Sequence, residues 1–301
     1  MTEIETPEKI KRTLICIVSY EAERHISEVL TRLPKEVWDS PNYHILLSDD
    51  GSKDDTVSVA QKKSFWVDVT VEGQSGHGSR PFDNYPNQVL VNALDKIVNW
   101  QTPMKINPVV AEMFNRIGNE IGGFQGFVMK NIDNGLVQYL FGNSISSAST
   151  STNAMVRNTI SLTMLTSGYK TNIIPEKASA SLDIRLLPEI DPDQFIFDLA
   201  SVVNNDDVIF VPKRTPDNKF ISSWDTNFFK ILSEEIKLLQ PDAVAVPFMT
   251  IGGTDSQFFQ SKGVDCYGLL PILVEEADIQ TMHGIDERIS IEHILECPQK
   301  H

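Results

Sequence analysis

The sequence has few of the residues that bridge chains or bind metals. Its 301 residues include three cysteines and six histidines. Cys16, Cys266 and Cys297 are far apart and match no zinc-ligand spacing. Their odd number and scatter fit free, mostly buried thiols in a reducing compartment. Positive charge is also scarce, with 26 Lys and Arg against 41 Asp and Glu and a net charge of −15. No basic surface is available to release counterions, which excludes a nucleic-acid partner. No run approaches the roughly 20 apolar residues that span a bilayer, so no membrane partner is expected. The opening "MTEIETPEKIKRT" is charged, and the "LICIV" after it is too short for a secretory h-region. A cytoplasmic protein is therefore expected.

What is present is enough for an ordinary core, with 41% hydrophobic residues. "TLICIVS" from Thr13 and "YHILLSDDGS" from Tyr43 are continuous apolar runs, as in strands buried on both faces. Between them Ile26, Val29, Leu30 and Leu33 follow a helical period. This is the start of an open parallel sheet, with Asp49 and Asp50 at a strand's carboxyl end, where such sheets place ligands. "TVSVAQKK" reads as about two helical turns.

The pattern then changes. Phe65, Val67, Val69 and Val71 alternate with Trp66, Asp68 and Thr70, as in a half-buried antiparallel strand. A helix opens at Pro86 with Val89, Leu90, Ala93, Leu94, Ile97 and Val98 on one stripe. "TISLTML" alternates through Ile160, Leu162 and Met164, and "ASASLDIRLLP" from Ala178 to Leu186. Asp191, Pro192 and Gln194 form a helix start of capping-box type, and "VIFVP" closes the set. Strand, helix, strand, strand, helix, strand is a ferredoxin-like (split βαβ) order. It is interrupted near 102–157 by an amphipathic helix, "NPVVAEMFNRIGNEI", and a polar loop, "GNSISSASTSTN". The expected fold is α/β with this inserted α+β domain. Boundaries fall at 1–61, 62–215 and 216–301.

Four motifs lie in this frame: "GHGSRP", "NIIPEKASASLDIRLLP", "GGTDSQFF" and "HGIDERI". In this order, over about 240 residues, they resemble the co-catalytic zinc exopeptidases and deacylases, the family of aminoacylase, carboxypeptidase G and succinyl-diaminopimelate desuccinylase. The resemblance implies a lid and dimerisation domain, a zinc cofactor, hydrolysis of a peptide or N-acyl amino acid, and a homodimer through the lid. It places His77 as the lid histidine over the reacting carbonyl, stabilising the oxyanion. Glycines on both sides of it let the loop swing. Asn172 and Arg185 match positions that hold substrate polar groups. A guanidinium suits bidentate carboxylate capture, although a surface pair with Asp183 accounts for Arg185 as well. Gly252, Gly253, Thr254 and Asp255 form a strand-to-helix turn whose N–H groups suit a substrate carboxylate. His283 matches the last zinc ligand.

The family's other ligands and its catalytic base have no counterpart. No His-x-Asp occurs, and Glu234-Glu235 and Glu275-Glu276 read as solvated surface. Residues 1–61 resemble instead the opening of a family-2 glycosyltransferase, in which Asp49 and Asp50, with Glu21 near, would contact a nucleotide. The chain thus reads as a chimera with an incomplete catalytic domain. Three functions are compatible with it: a metal-dependent hydrolase of peptides or N-acyl amino acids, a non-catalytic dimerising or ligand-binding module, and a nucleotide-sugar glycosyltransferase.

Overall fold

The structure is a computed structural model that describes residues 13–19, 43–49, 57–214, 221–239, 241, 243–261, 263–268, 281 and 286–288. The chain divides into two compact units. One comprises residues 1–59, 220–247 and 254–301, and the other residues 60–219 and 248–253. The architecture is mixed α/β.

In the first unit, β1 (Thr13–Ser19) and β2 (Tyr43–Asp49) pair in parallel, with Ser19 opposite Asp49 at their carboxyl ends. Of the expected helix "TVSVAQKK", the described residues from Val57 on are extended. Val57–Gln61 is a strand, β3, followed after Lys62 by β4 (Lys63–Glu72). Val57 and Val59 are β-branched and favour extended backbone. The ladder also takes up the polar backbone: Ser58 and Gly268 exchange both N–H···O bonds, at 2.8 and 2.9 Å.

The second unit is built on β4. Its partner β8 (Lys177–Leu186) runs antiparallel in an unbroken ten-pair register, from Lys63 opposite Leu186 to Glu72 opposite Lys177. With β6 (Thr159–Ser167) and β9 (Val208–Arg214) the sheet order is β6-β8-β4-β9. Two helices, α1 (Pro86–Asn99) and α6 (Pro192–Val203), pack on one face. The core beneath them joins Phe65, Val67 and Leu182 to Leu90, Ile97 and Leu199, each at most 3% exposed. Burying each such side chain contributes about 1.5–3 kcal/mol. Val98 lies off the buried stripe of α1, at 54% exposed. The alternation of β6 ends at Leu162, because the register shifts between Leu162 and Met164 and leaves Met164 exposed. Asp191 caps α6 by accepting from the amides of Asp193 and Gln194. The Gln194 side chain donates to Asp198 instead of returning to the cap, so the capping box is half made.

The insertion is helical throughout much of its length: α2 (Pro108–Ile121), α3 (Gly123–Lys130), α4 (Gly135–Ser146) and α5 (Thr150–Val156). The stretch expected as a polar loop therefore contains the end of α4 and most of α5. Ser149 starts α5 by accepting from the Thr152 amide at 3.0 Å. Gly122 and Gly123, with φ of 65° and 59°, turn the chain between α2 and α3. Beyond the sheet, α7 (Asn227–Leu239), β10 (Pro247–Thr250) and α8 (Ser256–Gln260) complete the described elements, with a two-residue ladder, β5 (Gly76–His77) against β7 (Ile173–Ile174). None of the described helices is long and apolar enough to cross a membrane.

Candidate functional site

Arg185 lies on the face of β8 opposite the core, directly across the ladder from Ser64. Alternation dictates this: Ile184 and Leu186 point into the core, so Asp183 and Arg185 share the other face. Its guanidinium grips Asp183 through two parallel bonds, Nε to Oδ1 and Nη2 to Oδ2, each 2.9 Å. Nη1 donates to Ser64 Oγ at 2.7 Å. These bonds use three of five donors and leave one N–H on each terminal nitrogen without a partner among the described residues. The side chain is 28% exposed, so those donors are reachable yet held in place. Gly253 stands beside them. A Cβ there would lie 3.0 Å from Ser64 Oγ, tighter than an ordinary contact, and 3.5 Å from Arg185 Nη1.

Beneath this group lies Lys62, which no sequence motif marks. Its side chain is 1% exposed, and its ammonium donates to Ala154 O, Arg157 O and Thr159 Oγ1 at 2.9–3.0 Å. It thereby caps the carboxyl end of α5, where cations are favoured. Burial pushes the ammonium down to about 7; the Arg185 charge acts the same way and Asp183 opposes it. A lysine following "VSVAQ" gives no sign of burial, because its neighbours Lys63 and Ser64 are polar too.

His77 sits on the short ladder, opposite Ile173, and the Gly78 amide donates to Asn172 O at 2.8 Å. His77 and Asn172 are therefore brought together, both exposed. The flanking glycines allow close approach rather than a left-handed backbone. Neither has a positive φ. A Cβ on Gly76 would press on the Phe82 ring at 2.9 Å, and one on Gly78 on the Asn172 backbone at 3.3 Å. They are small so that the ladder can close.

The turn after β10 differs from expectation. Thr254 is buried, and its Oγ1 and carbonyl take up the amides of Ser256 and Gln257 at 3.2 and 3.4 Å. Those two N–H groups are thus unavailable to a substrate carboxylate. Asp255 is the N-cap of the five-residue α8 without a side-chain capping bond. His283, Glu21 and Asp50 lie outside the described residues, and Asp49 is placed by its backbone alone as the last residue of β2. Among the described residues no three His, Cys, Asp or Glu are grouped to hold a metal ion. The described donors thus do not fit a zinc site. Cys266 is buried and free, and burial raises its thiol to about 12, so it is no nucleophile.

Comparison with known proteins gives the class. Residues 59–209, half of the chain, match the peptidase dimerisation domain family, and the chain belongs to that family. It is 28% identical over 243 residues to the probable carboxypeptidase S-like 2 of Dictyostelium discoideum, covering 79% of this chain and 45% of that protein. It is 27% identical, also over 243 residues, to the N-fatty-acyl-amino acid synthase/hydrolase PM20D1 of Xenopus tropicalis, covering 79% and 46%. The chain spans about half the length of these relatives. Its fold is similar to that of the di-peptidase Dug1p of Saccharomyces cerevisiae, with a TM-score of 0.56 at 14% identity over 90% of this chain and 60% of that one.

Proposed function

We propose that this chain is the substrate-holding lid and adjoining part of a metal-dependent hydrolase that acts on peptides or N-acyl amino acids. The catalytic base and most metal ligands are missing from it. Relatives named as a probable carboxypeptidase and an N-fatty-acyl-amino acid synthase/hydrolase support the substrate class. The ferredoxin-like reading of the lid draws support from the order β6-β8-β4-β9 with both helices on one face. The observation that carries the reading is the Arg185 guanidinium, oriented by Asp183 and Ser64 with two donors to spare. A carboxylate accepts such N–H pairs in charge-assisted bonds. His77, beside Asn172, would donate to the oxyanion. Zinc is the metal that the resemblance implies. Elemental analysis should find less than one tightly bound zinc per chain, and two equivalents would overturn the incomplete site.

A ligand-detected NMR titration with N-acetyl amino acids tests the reading. Millimolar binding is expected, and Arg185→Ala should weaken it about tenfold to a hundredfold, the loss of a charge-assisted contact of roughly 1.5–3 kcal/mol. No binding to the parent chain would refute it. The lid reading also makes the chain a two-fold homodimer. Edge strand β6 exposes Leu165 beside Val91 of α1, around a groove of about 480 Å³. Light scattering should then give twice the chain mass.

A further inference from the structure

His77 Nδ1 has two neighbours, both from Ser79. The Ser79 backbone amide donates to it at 3.2 Å, and the Ser79 hydroxyl lies 2.8 Å away. A backbone N–H can only donate, so Nδ1 must present its lone pair. A proton on Nδ1 would set two N–H groups against each other. The neutral ring therefore carries its proton on Nε2, which makes no hydrogen bond among the described residues.

We infer that Ser79 is a positioning residue: it fixes the His77 tautomer and ring orientation so that Nε2–H is aimed outward as a ready donor. This rests on the reading of His77 as the oxyanion donor and adds what prepares it. A histidine on a two-residue strand has little packing to hold its ring. The backbone bond Gly78 N to Asn172 O places its Cα, and Ser79 restrains the imidazole. The hydroxyl matters in a second way. As the second donor to Nδ1 it reinforces the tautomer that the Ser79 amide already favours. The second serine flanking the motif, Ser75, makes no such bond among the described residues.

The test reads the ring nitrogens directly. Long-range proton–nitrogen spectra of histidine-labelled protein, taken with the ring neutral, should show His77 with Nε2–H alone. Ser79→Ala, which keeps the backbone donor but loses the hydroxyl, should show a share of Nδ1–H, and Ser79→Thr should restore the parent pattern. An Nδ1–H pattern in the parent, or an unchanged pattern in Ser79→Ala, overturns the proposal. A second titration separates it from the oxyanion role of His77. A dipeptide phosphinate presents a tetrahedral anionic oxygen, and Ser79→Ala should weaken its binding about threefold to tenfold. Binding of an N-acetyl amino acid should not change. If His77→Ala leaves phosphinate affinity unaltered while the tautomer pattern is as expected, the oxyanion role of His77 falls and Ser79 remains what sets the ring.

Discussion

Arg185 stands in a ten-residue strand with a strand on either side, whereas His77 is the second residue of a two-residue strand. Arg185 is half-buried and held by three side-chain bonds to two residues, one of them across the ladder. His77 is exposed and held by one residue two positions along. The first arrangement needs the whole sheet to form. The second needs only a closed turn. A recognition group gains from a rigid mount, since its donors are then ordered before a ligand arrives. A group that acts over a reacting atom needs the right proton in the right direction, and a local pair of donors can supply that.

The largest effect that separates the two should come from Gly253→Val. Its Cβ would already be tight against Ser64 Oγ and in contact with Arg185 Nη1, so a branched side chain there should crowd the mount of the guanidinium. Overpacking of this kind costs about 1–3 kcal/mol. Titration should show carboxylate affinity lost while the His77 ring spectrum is unchanged; disturbance of both would mean that the two groups are one mechanical unit.

Next comes pH. The Lys62 ammonium falls to about 7 in the folded chain from an ordinary value of 10.5. Between these values the unfolded chain binds the extra proton, so stability rises with pH across that window, by up to about 1.4 kcal/mol per pH unit. Below about 7 both states are charged and the gain is absent. Denaturant melts between pH 7 and 9 should show this slope in the parent and its loss in Lys62→Met. The same slope in both would move the titration elsewhere.

Gly78→Ala should act locally. Its Cβ meets the Asn172 backbone at 3.3 Å, so the β5–β7 ladder must loosen. Hydrogen exchange should quicken at Gly78 and leave the amides of β4 and β8 protected. The smallest effect belongs to Lys177→Ala. The Lys177–Glu72 pair is more than half exposed at both partners, and such pairs contribute about 0–1 kcal/mol.

The sheet was legible in the sequence because β4 and β8 alternate strictly and bury one face. The same alternation put Asp183 and Arg185 side by side. It could not say that Ser64 would complete the grip, because that depends on register across 121 positions of chain. "TVSVAQKK" misled because its strand character is settled by partners far along the chain, at Gly268 and Thr250. The insertion misled for another reason. Helix α4 buries Gly142 and Ser146 and exposes Leu136, Tyr139 and Leu140, so its apolar residues do not mark its packed face. At the turn after β10 the motif was plain, but which amides Thr254 consumes is a matter of side-chain rotation.

The central claim, that Arg185 offers a preformed fork to a carboxylate, is tested most directly by paired titrations of N-acetylleucine and its carboxamide against the parent chain and Arg185→Ala. The two ligands differ in the charge of one group. The carboxylate should bind the parent at least about tenfold more tightly than the carboxamide, and the difference should disappear in Arg185→Ala. Equal affinity of the two ligands for the parent, or an undiminished difference in the variant, would contradict it.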